Sequence, residues 1–474
     1  MPLLLSTIPI LAVIAGLLAG MRSARAALLG VILALIASAI AFPITAQQAF
    51  AAVGDWLPMV LEVLLIVGGG LLLADILNAS GSQQALSHWI VSRTGQGTGA
   101  VLLVVHGVTP FAESLTGFGI GITIGIPLLR HLGLPAHKVA LLGLLGLCAV
   151  PWGSMGPGTL VAATMAQLSF DALGVASALV SMVPMAVVGM AAAWLTSPLE
   201  QRWSGLLKGA FSGLLLASFI ALFNTLFGTA PAGALGSLVM MLLWLSLGRR
   251  TSAQQASRPP IPLNQQSRRA LTAYAVLLLG VLAGAVLTRT LALTGAWRAL
   301  TSPALWLYVA ALWFSRGLPA RASLQRAWTS WTHVAPVTGW FVLLGIVMAI
   351  SGMAAELAHS LARSGMFYLA AAPLVGALGG FLTGSTTGAN AMFAATQAEI
   401  AQALGVAPLP FMAVHNVSAA LFLMASPAKI EMACQLAATP EQHQWVQSRV
   451  LLIAMVALVF LAMLNVAWAY GHLS

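Results

Sequence analysis

The stretch Pro110-Phe111-Ala112-Glu113-Ser114-Leu115-Thr116-Gly117-Phe118-Gly119 decides how this sequence is read. A carboxylate stands there between two apolar runs, followed by hydroxyl residues and two glycines. The apolar segment around it, 98–130, is too long for one membrane span of roughly 20 residues and is broken midway by Gly, Ser and Thr. Broken backbone at membrane depth is tolerated only where protein or a water-filled cavity satisfies it. The segment is therefore read as a re-entrant helical hairpin with Glu113 near its tip. A second segment, 366–404, breaks in the same way at Thr383-Gly384-Ser385-Thr386-Thr387-Gly388-Ala389-Asn390.

Composition sets the surroundings of these hairpins. The 474 residues are 60% hydrophobic and 6% charged, where a soluble domain is about 25% charged. The expected fold is an all-α polytopic membrane protein of about twelve transmembrane helices plus the two hairpins. Candidate spans are 2–20, 26–46, 53–78, 137–167, 172–198, 209–228, 233–248, 270–292, 301–315, 333–353, 409–436 and 449–470. The first is read as an uncleaved span, because no basic n-region precedes it. The net charge of +10 does not point to nucleic acid, since the basic residues sit in short gaps between apolar runs. Cys148 and Cys434 lie within apolar runs and read as small packing residues.

With the N-terminus outside and neither hairpin crossing, sixteen Lys and Arg residues fall inside, and Arg289, Arg298 and Arg363 fall outside. That bias is the one the positive-inside rule expects. The same count exposes an internal repeat. A span, an amphipathic stretch (Ser82 to Arg93, and Glu356 to Arg363), a broken segment, a turn from Gly to Pro and further spans occur in both halves. Thr116-Gly117 aligns with Thr383-Gly384, and Gly133-Leu134-Pro135 with Gly405 to Pro408. Residues 1–200 and 270–474 are thus expected to form inverted repeats, joined by helices and a cytoplasmic linker within 201–269. Paired broken segments in inverted repeats mark secondary transporters, with the site at the midplane.

The chemistry follows from that placement. Each tip precedes a new half-helix, whose first turn offers free N–H groups and a positive dipole end. Two such ends facing each other suit a small anion, above all a carboxylate. Ser114, Thr116, Gly117 and Gly119 of the first tip, and Ser385, Thr386, Thr387 and Asn390 of the second, are the expected substrate contacts. His415 and Asn416 join them, because polar residues at membrane depth default to functional candidates. Small residues that merely permit close helix packing are the competing reading. Glu113 would cost about 2.5–3.5 kcal/mol unpaired at a helix centre. Removal from water favours the neutral form of a carboxyl group, so an acid there can carry a proton. Glu113, with His415 as a partner, is the expected proton-coupling pair; a structural acid is the alternative. Lys429 is left between pairing with an anion and snorkelling to the interface. Two further breaks, Val150 to Thr159 and Ala425-Ser426-Pro427, border the expected site. Their freed carbonyls leave open a second reading, a sodium-coupled carrier of dicarboxylates or other organic anions. No metal-ligating, nucleotide-binding or G-x-S-x-G motif occurs, so no enzyme activity, cofactor or metal is expected.

"ESLTGFGIGITIGIPLL" followed by "GLPAHKVALLGLLG…VPWGSMG" resembles the lactate permease family of bacterial monocarboxylate transporters. "GFLTGSTTGANAMF" resembles that family's second Gly/Ser/Asn-rich tip, and "VHNVSAA", with Lys429 downstream, its V-H-N-V-x-A-A segment. The match covers roughly 50–200 and 330–440. The resemblance implies uptake of lactate or glycolate with protons through the bacterial inner membrane, and a fold like that of the ion-transporter superfamily. It also implies that Glu113, Ser385, Asn390, His415 and Asn416 lie near the substrate, and such carriers often form homodimers through a scaffold.

Overall fold

The computed structural model describes residues 1–91, 93, 97–252, 263–292, 295–316 and 320–473. Every regular element among them is helical. Among the described residues, ten helices are long and apolar enough to cross a membrane, or up to twelve if each of two bent pairs counts as one span. Phe50, Leu207, Phe211 and Met463 are exposed on outward faces, as they must be where lipid takes the place of water. The expected all-α polytopic architecture is the one observed. The linker read at 249–269 lies partly outside the described residues. Its flanks are helical to Ser252 and again from Gln265, and 253–262 are the undescribed part.

Two long helices, Ala46–Ala79 and Ala320–Ile350, pack on each other at the centre. At 1.5 Å per residue each is about 45–50 Å long, well beyond a hydrocarbon layer of about 30 Å. Polar ties fix them to their surroundings. Arg326 donates to both oxygens of Asp75, at 3.0 and 2.9 Å. The Trp331 indole N–H donates to Leu64 O at 3.0 Å, and Ser302 donates to Glu62 at 2.7 Å. Glu62 and Asp75 therefore belong to the scaffold.

Each long helix is followed by the same series. A left-handed glycine, Gly81 or Gly352, turns the chain into a short helix, Ser82–Val91 or Met353–Ala362. A hairpin comes next. Hairpin 1 has arms Thr98–Thr116 and Ile120–Arg130; hairpin 2 has arms Met366–Thr383 and Thr386–Ala403. A second left-handed glycine, Gly133 or Gly405, leads into a broken helix. Broken helix 1 is Ala136–Met155 followed by Pro157–Met165, and broken helix 2 is Pro408–Leu423 followed by Pro427–Leu436. The first arm of each hairpin packs on the broken helix of its own half. The second arm packs on the distal piece of the other half's broken helix: Thr386–Ala403 on Pro157–Met165, and Ile120–Arg130 on Pro427–Leu436.

Two local departures have visible causes. A π-helical turn, Val104–Val108, precedes Pro110 in hairpin 1. Proline lacks the N–H that would continue an α-helical ladder and crowds the carbonyl four residues back, and a π-bulge absorbs the mismatch. The span expected at 172–198 is two helices, Phe170–Val180 and Met182–Thr196, and the first is bent 113° from Pro157–Met165. Pro184 lies in the first turn after that join, where its missing N–H costs nothing.

Close contact between helices relies on absent side chains, as in other membrane bundles. Met182–Thr196 and Arg202–Phe227 touch backbone to backbone, with Gly189 against Gly209 and Gly213 against the Met185 carbonyl. Overpacking a core costs about 1–3 kcal/mol when side chains can yield. Here the obstacle is main chain, so Gly209→Val is expected to exceed that range and to lower the melting temperature of the detergent-purified protein sharply. An unchanged melting temperature would show that the two helices are free to part.

Candidate functional site

The two hairpin tips meet in one cavity of about 340 Å³, within the range of about 300–1,000 Å³ usual for ligand sites. Glu113, Gly117 and Phe118 reach it from hairpin 1, and Thr383 to Thr387 from hairpin 2. Gly153, Ser154 and Pro157, at the interruption of broken helix 1, form a third wall. Lys429 of broken helix 2 completes it. Two larger cavities, about 450 and 610 Å³, open elsewhere and contain neither tip turn.

The first tip is built around a carboxylate. Gly117, Phe118 and Gly119 take φ of 71°, 58° and 87°, a left-handed run that reverses the chain in three residues. Glycine adopts such angles readily, while Phe118 does so at a cost. The turn carries the Gly119 and Gly121 amides back over the side chain of Glu113, which is 5% exposed. Gly119 N–H donates to Glu113 Oε1 at 2.9 Å and to Oε2 at 3.1 Å, and Gly121 N–H donates to Oε2 at 3.0 Å. Glu113 thus caps the helix that starts at Ile120, filling the donor positions expected to face an incoming anion. Lys429 Nζ donates to Phe118 O at 3.0 Å, on the same turn. It is half-buried and lines the cavity.

The second tip is capped by hydroxyls instead. Ser385 Oγ accepts from Gly388 N–H at 3.2 Å, the usual geometry of a helix N-cap. The Thr383 hydroxyl donates to Gly379 O at 2.7 Å and accepts from Ser385 N–H at 3.2 Å. Both tips open on a left-handed glycine, Gly117 or Gly384, but they differ in charge. At both, a serine from a helix break abuts the tip glycine: Ser154 against Gly117 and Ser426 against Gly384. Both serine hydroxyls are buried and without a hydrogen-bond partner among the described residues.

The remaining candidates divide. Thr116 donates back to Ala112 O at 2.6 Å, and Ser114 is buried beside Gly233 of the helix Thr229–Ser252. Neither lines the cavity. Asn390 and Asn416 lie behind the second tip. Asn390 Nδ2 donates to Gly158 O at 2.9 Å and to Asn416 Oδ1 at 2.8 Å. Asn416 Nδ2 donates to Thr159 at 3.1 Å and to Ser177 at 3.0 Å. This network ties hairpin 2 and broken helix 2 to the first half. His415 is buried against Gly376, and neither ring nitrogen has a hydrogen-bond partner among the described residues. The structure does not join His415 to Glu113. His333, Val334, Val337 and Thr338, one face of the long helix Ala320–Ile350, also line the cavity. The sequence reading passed over them, and a signal existed: a histidine and a threonine spaced five apart around Pro336 in an apolar span.

The family model described as L-lactate permease matches residues 2–315 and 319–470. The chain belongs to the L-lactate permease family. It is a multi-pass membrane transporter, as the resemblance implied. The L-lactate permease of Streptococcus iniae is 27% identical over 449 residues, covering 85% of this chain and 92% of that protein. The L-lactate permease of Escherichia coli K12 is 38% identical over 96 residues, covering 20% of this chain and 17% of its own. The glycolate permease GlcA of the same organism is 36% identical over 102 residues, 20% and 18% of the two chains. The YdaH transporter of Alcanivorax borkumensis, a solved structure described as having an unusual topology, aligns with a TM-score of 0.49 and 16% identity over 88% of this chain and 87% of its own.

The asparagine network generates a prediction. Asn416→Leu removes one acceptor and two donated hydrogen bonds from buried partners, each orphan costing about 1–3 kcal/mol. A large fall in melting temperature in detergent is expected without added substrate. If the variant melted normally but failed to bind substrate, Asn416 would be a ligand contact rather than a tie.

Proposed function

We propose that this transporter carries a small monocarboxylate, lactate or glycolate, in symport with a proton. The observation that carries the reading is the charge inventory of the central cavity. Lys429 is the one lysine or arginine lining it among the described residues, and Glu113 the one acid. One fixed cation beside amide donors suits a substrate with a single carboxylate. A dicarboxylate would have to set its second charge against Ser385 and Thr387, with no lysine or arginine there. Those hydroxyls suit instead a neutral polar group such as the 2-hydroxyl of lactate or glycolate. The names borne by relatives, L-lactate permease and glycolate permease, support the same substrates.

Glu113 serves as the proton acceptor in this reading, because it is the acid at the anion site. The repeated series of elements and their reciprocal packing support two inverted repeats, 1–200 and 270–474, around a shared midplane site. Alternating access would then move the hairpins and broken helices against the long-helix scaffold.

The test is uptake of labelled L-lactate into sodium-free proteoliposomes. An inward proton gradient is expected to drive accumulation above the external concentration, and a proton ionophore to abolish it. Accumulation that required sodium would overturn the coupling assignment. Lys429→Met is expected to weaken lactate binding about 10–100-fold, the loss of one charge-assisted hydrogen bond worth about 1.5–3 kcal/mol. Unaltered binding would remove Lys429 from the site.

A further inference from the structure

A carboxylate that only waited beside the substrate for a proton would leave the anion-binding groups free. The first tip does the opposite. Both Glu113 oxygens are engaged by the Gly119 and Gly121 amides, the donors that a helix start offers to an anion. Lys429 Nζ stands at the same turn, 2.7 Å from where a Cβ on Gly119 would lie. Ser154 Oγ, 2% exposed and without a partner, lines the same cavity from a residue held at φ +40°. A buried hydroxyl left unpaired costs about 1–3 kcal/mol, so its position at the tip marks a place for a ligand oxygen.

We propose that Glu113 is the resident anion of the substrate site, holding the Gly119 and Gly121 amides until protonation releases them to the substrate carboxylate. The inference rests on the monocarboxylate reading above and supplies its coupling rule. In the empty carrier, Glu113 and Lys429 sum to zero charge. In the loaded carrier, a proton from the aqueous cavity sits on a Glu113 oxygen, and the substrate carboxylate takes the two amides and faces Lys429 and Ser154. The sum is again zero. The substrate without the proton leaves two carboxylates on one set of donors. At 4 Å and an effective dielectric of about 20, that repulsion is about 4 kcal/mol. The proton without the substrate leaves Lys429 uncompensated. Strict one-to-one coupling of proton and substrate follows from the occupancy of a single nest of donors.

Among the described residues, other titratable side chains on the elements packed on this tip are engaged elsewhere: Arg130 donates to Leu436 O, His131 bonds Pro127 O, His137 meets the Trp445 ring, Lys138 donates to Leu195 O and Glu431 accepts from Gln435. On the long helix Ala46–Ala79, Glu62 bonds Ser302 and Asp75 pairs with Arg326. Asp55 is exposed in that helix's third turn. His106, in the π-turn of the same arm, bonds Ser212 at 2.9 Å, and Cys148 faces Val105 O. His333 lines the cavity from Ala320–Ile350 and is the one competitor for the proton.

The experiment is calorimetric titration of the purified full-length protein with L-lactate in buffers of different ionisation enthalpy, across a pH series. Wild type is expected to take up one proton per lactate bound. Its affinity should fall about tenfold per pH unit once Glu113 is ionised in the empty carrier. Infrared difference spectra of the same wild-type sample should show a protonated carboxyl band appearing on lactate addition, so the test does not depend on any variant folding. Glu113→Gln should lose both the band and the proton uptake while still binding lactate, and His333→Gln should keep both. Lactate binding without proton uptake or without the band overturns this inference and leaves the monocarboxylate reading standing. So does proton uptake that is lost in His333→Gln. Absence of lactate binding at every pH overturns both.

Discussion

Backbone that stops being helical inside a hydrocarbon layer must find its hydrogen bonds within the protein. Four breaks in this chain face that requirement, at the two hairpin tips and in the two broken helices. The answers differ, and the site results from the difference. Hairpin 2 closes on itself with Thr383 and Ser385. Hairpin 1 uses a carboxylate reaching forward six and eight residues to Gly119 and Gly121. The charge that satisfies the backbone there brings Lys429 to the same turn, and with it the electrostatic character of the cavity.

The two halves repeat a series of elements but not a set of side chains. Where hairpin 1 has Glu113, four residues before the tip glycine, hairpin 2 has Gly380 at the same spacing. Gly380 lets Met366–Thr383 lie directly on the Ala419 backbone. Three residues after the break serine, broken helix 2 has Lys429, and broken helix 1 has Pro157. Both departures fall on one side of the cavity. One wall is ionic and the other carries hydroxyls, so a guest with a charged end and a neutral polar end has one preferred way to lie.

Much of this was legible in the sequence. Apolar lengths gave the helices, and glycine, serine and threonine within overlong apolar runs gave both hairpins and both breaks. The aligned Thr-Gly pairs located the two tips that share a cavity. The side-chain assignments were less legible for physical reasons. Capping by Glu113 depends on three successive left-handed residues, one of them a phenylalanine, which no propensity foretells. Lys429 lies 311 residues from the carbonyl it bonds, and hydropathy alone reads it equally well as an interfacial lysine. Asn390 and Asn416 were read as near the substrate because polar groups at depth are costly. The same cost explains the place they occupy, since hydrogen bonds to buried carbonyl, amide and hydroxyl groups satisfy the Asn390 Nδ2 and both polar atoms of the Asn416 side chain without a ligand.

That network also sets an order in time. The hydroxyls of Thr159 and Ser177 and the carbonyl of Gly158 belong to the first two hundred residues, and their partners Asn390 and Asn416 belong to the last hundred. A ribosome delivers the first half to the bilayer long before the second exists. Until then, those groups lack their Asn390 and Asn416 partners, and the distal piece of broken helix 1 lacks the arm Thr386–Ala403 that packs on it. The first half must therefore wait in the membrane as inserted but unfinished helices. The transporting core forms only when the final helices arrive, which makes the far end of the chain the folding checkpoint for its beginning.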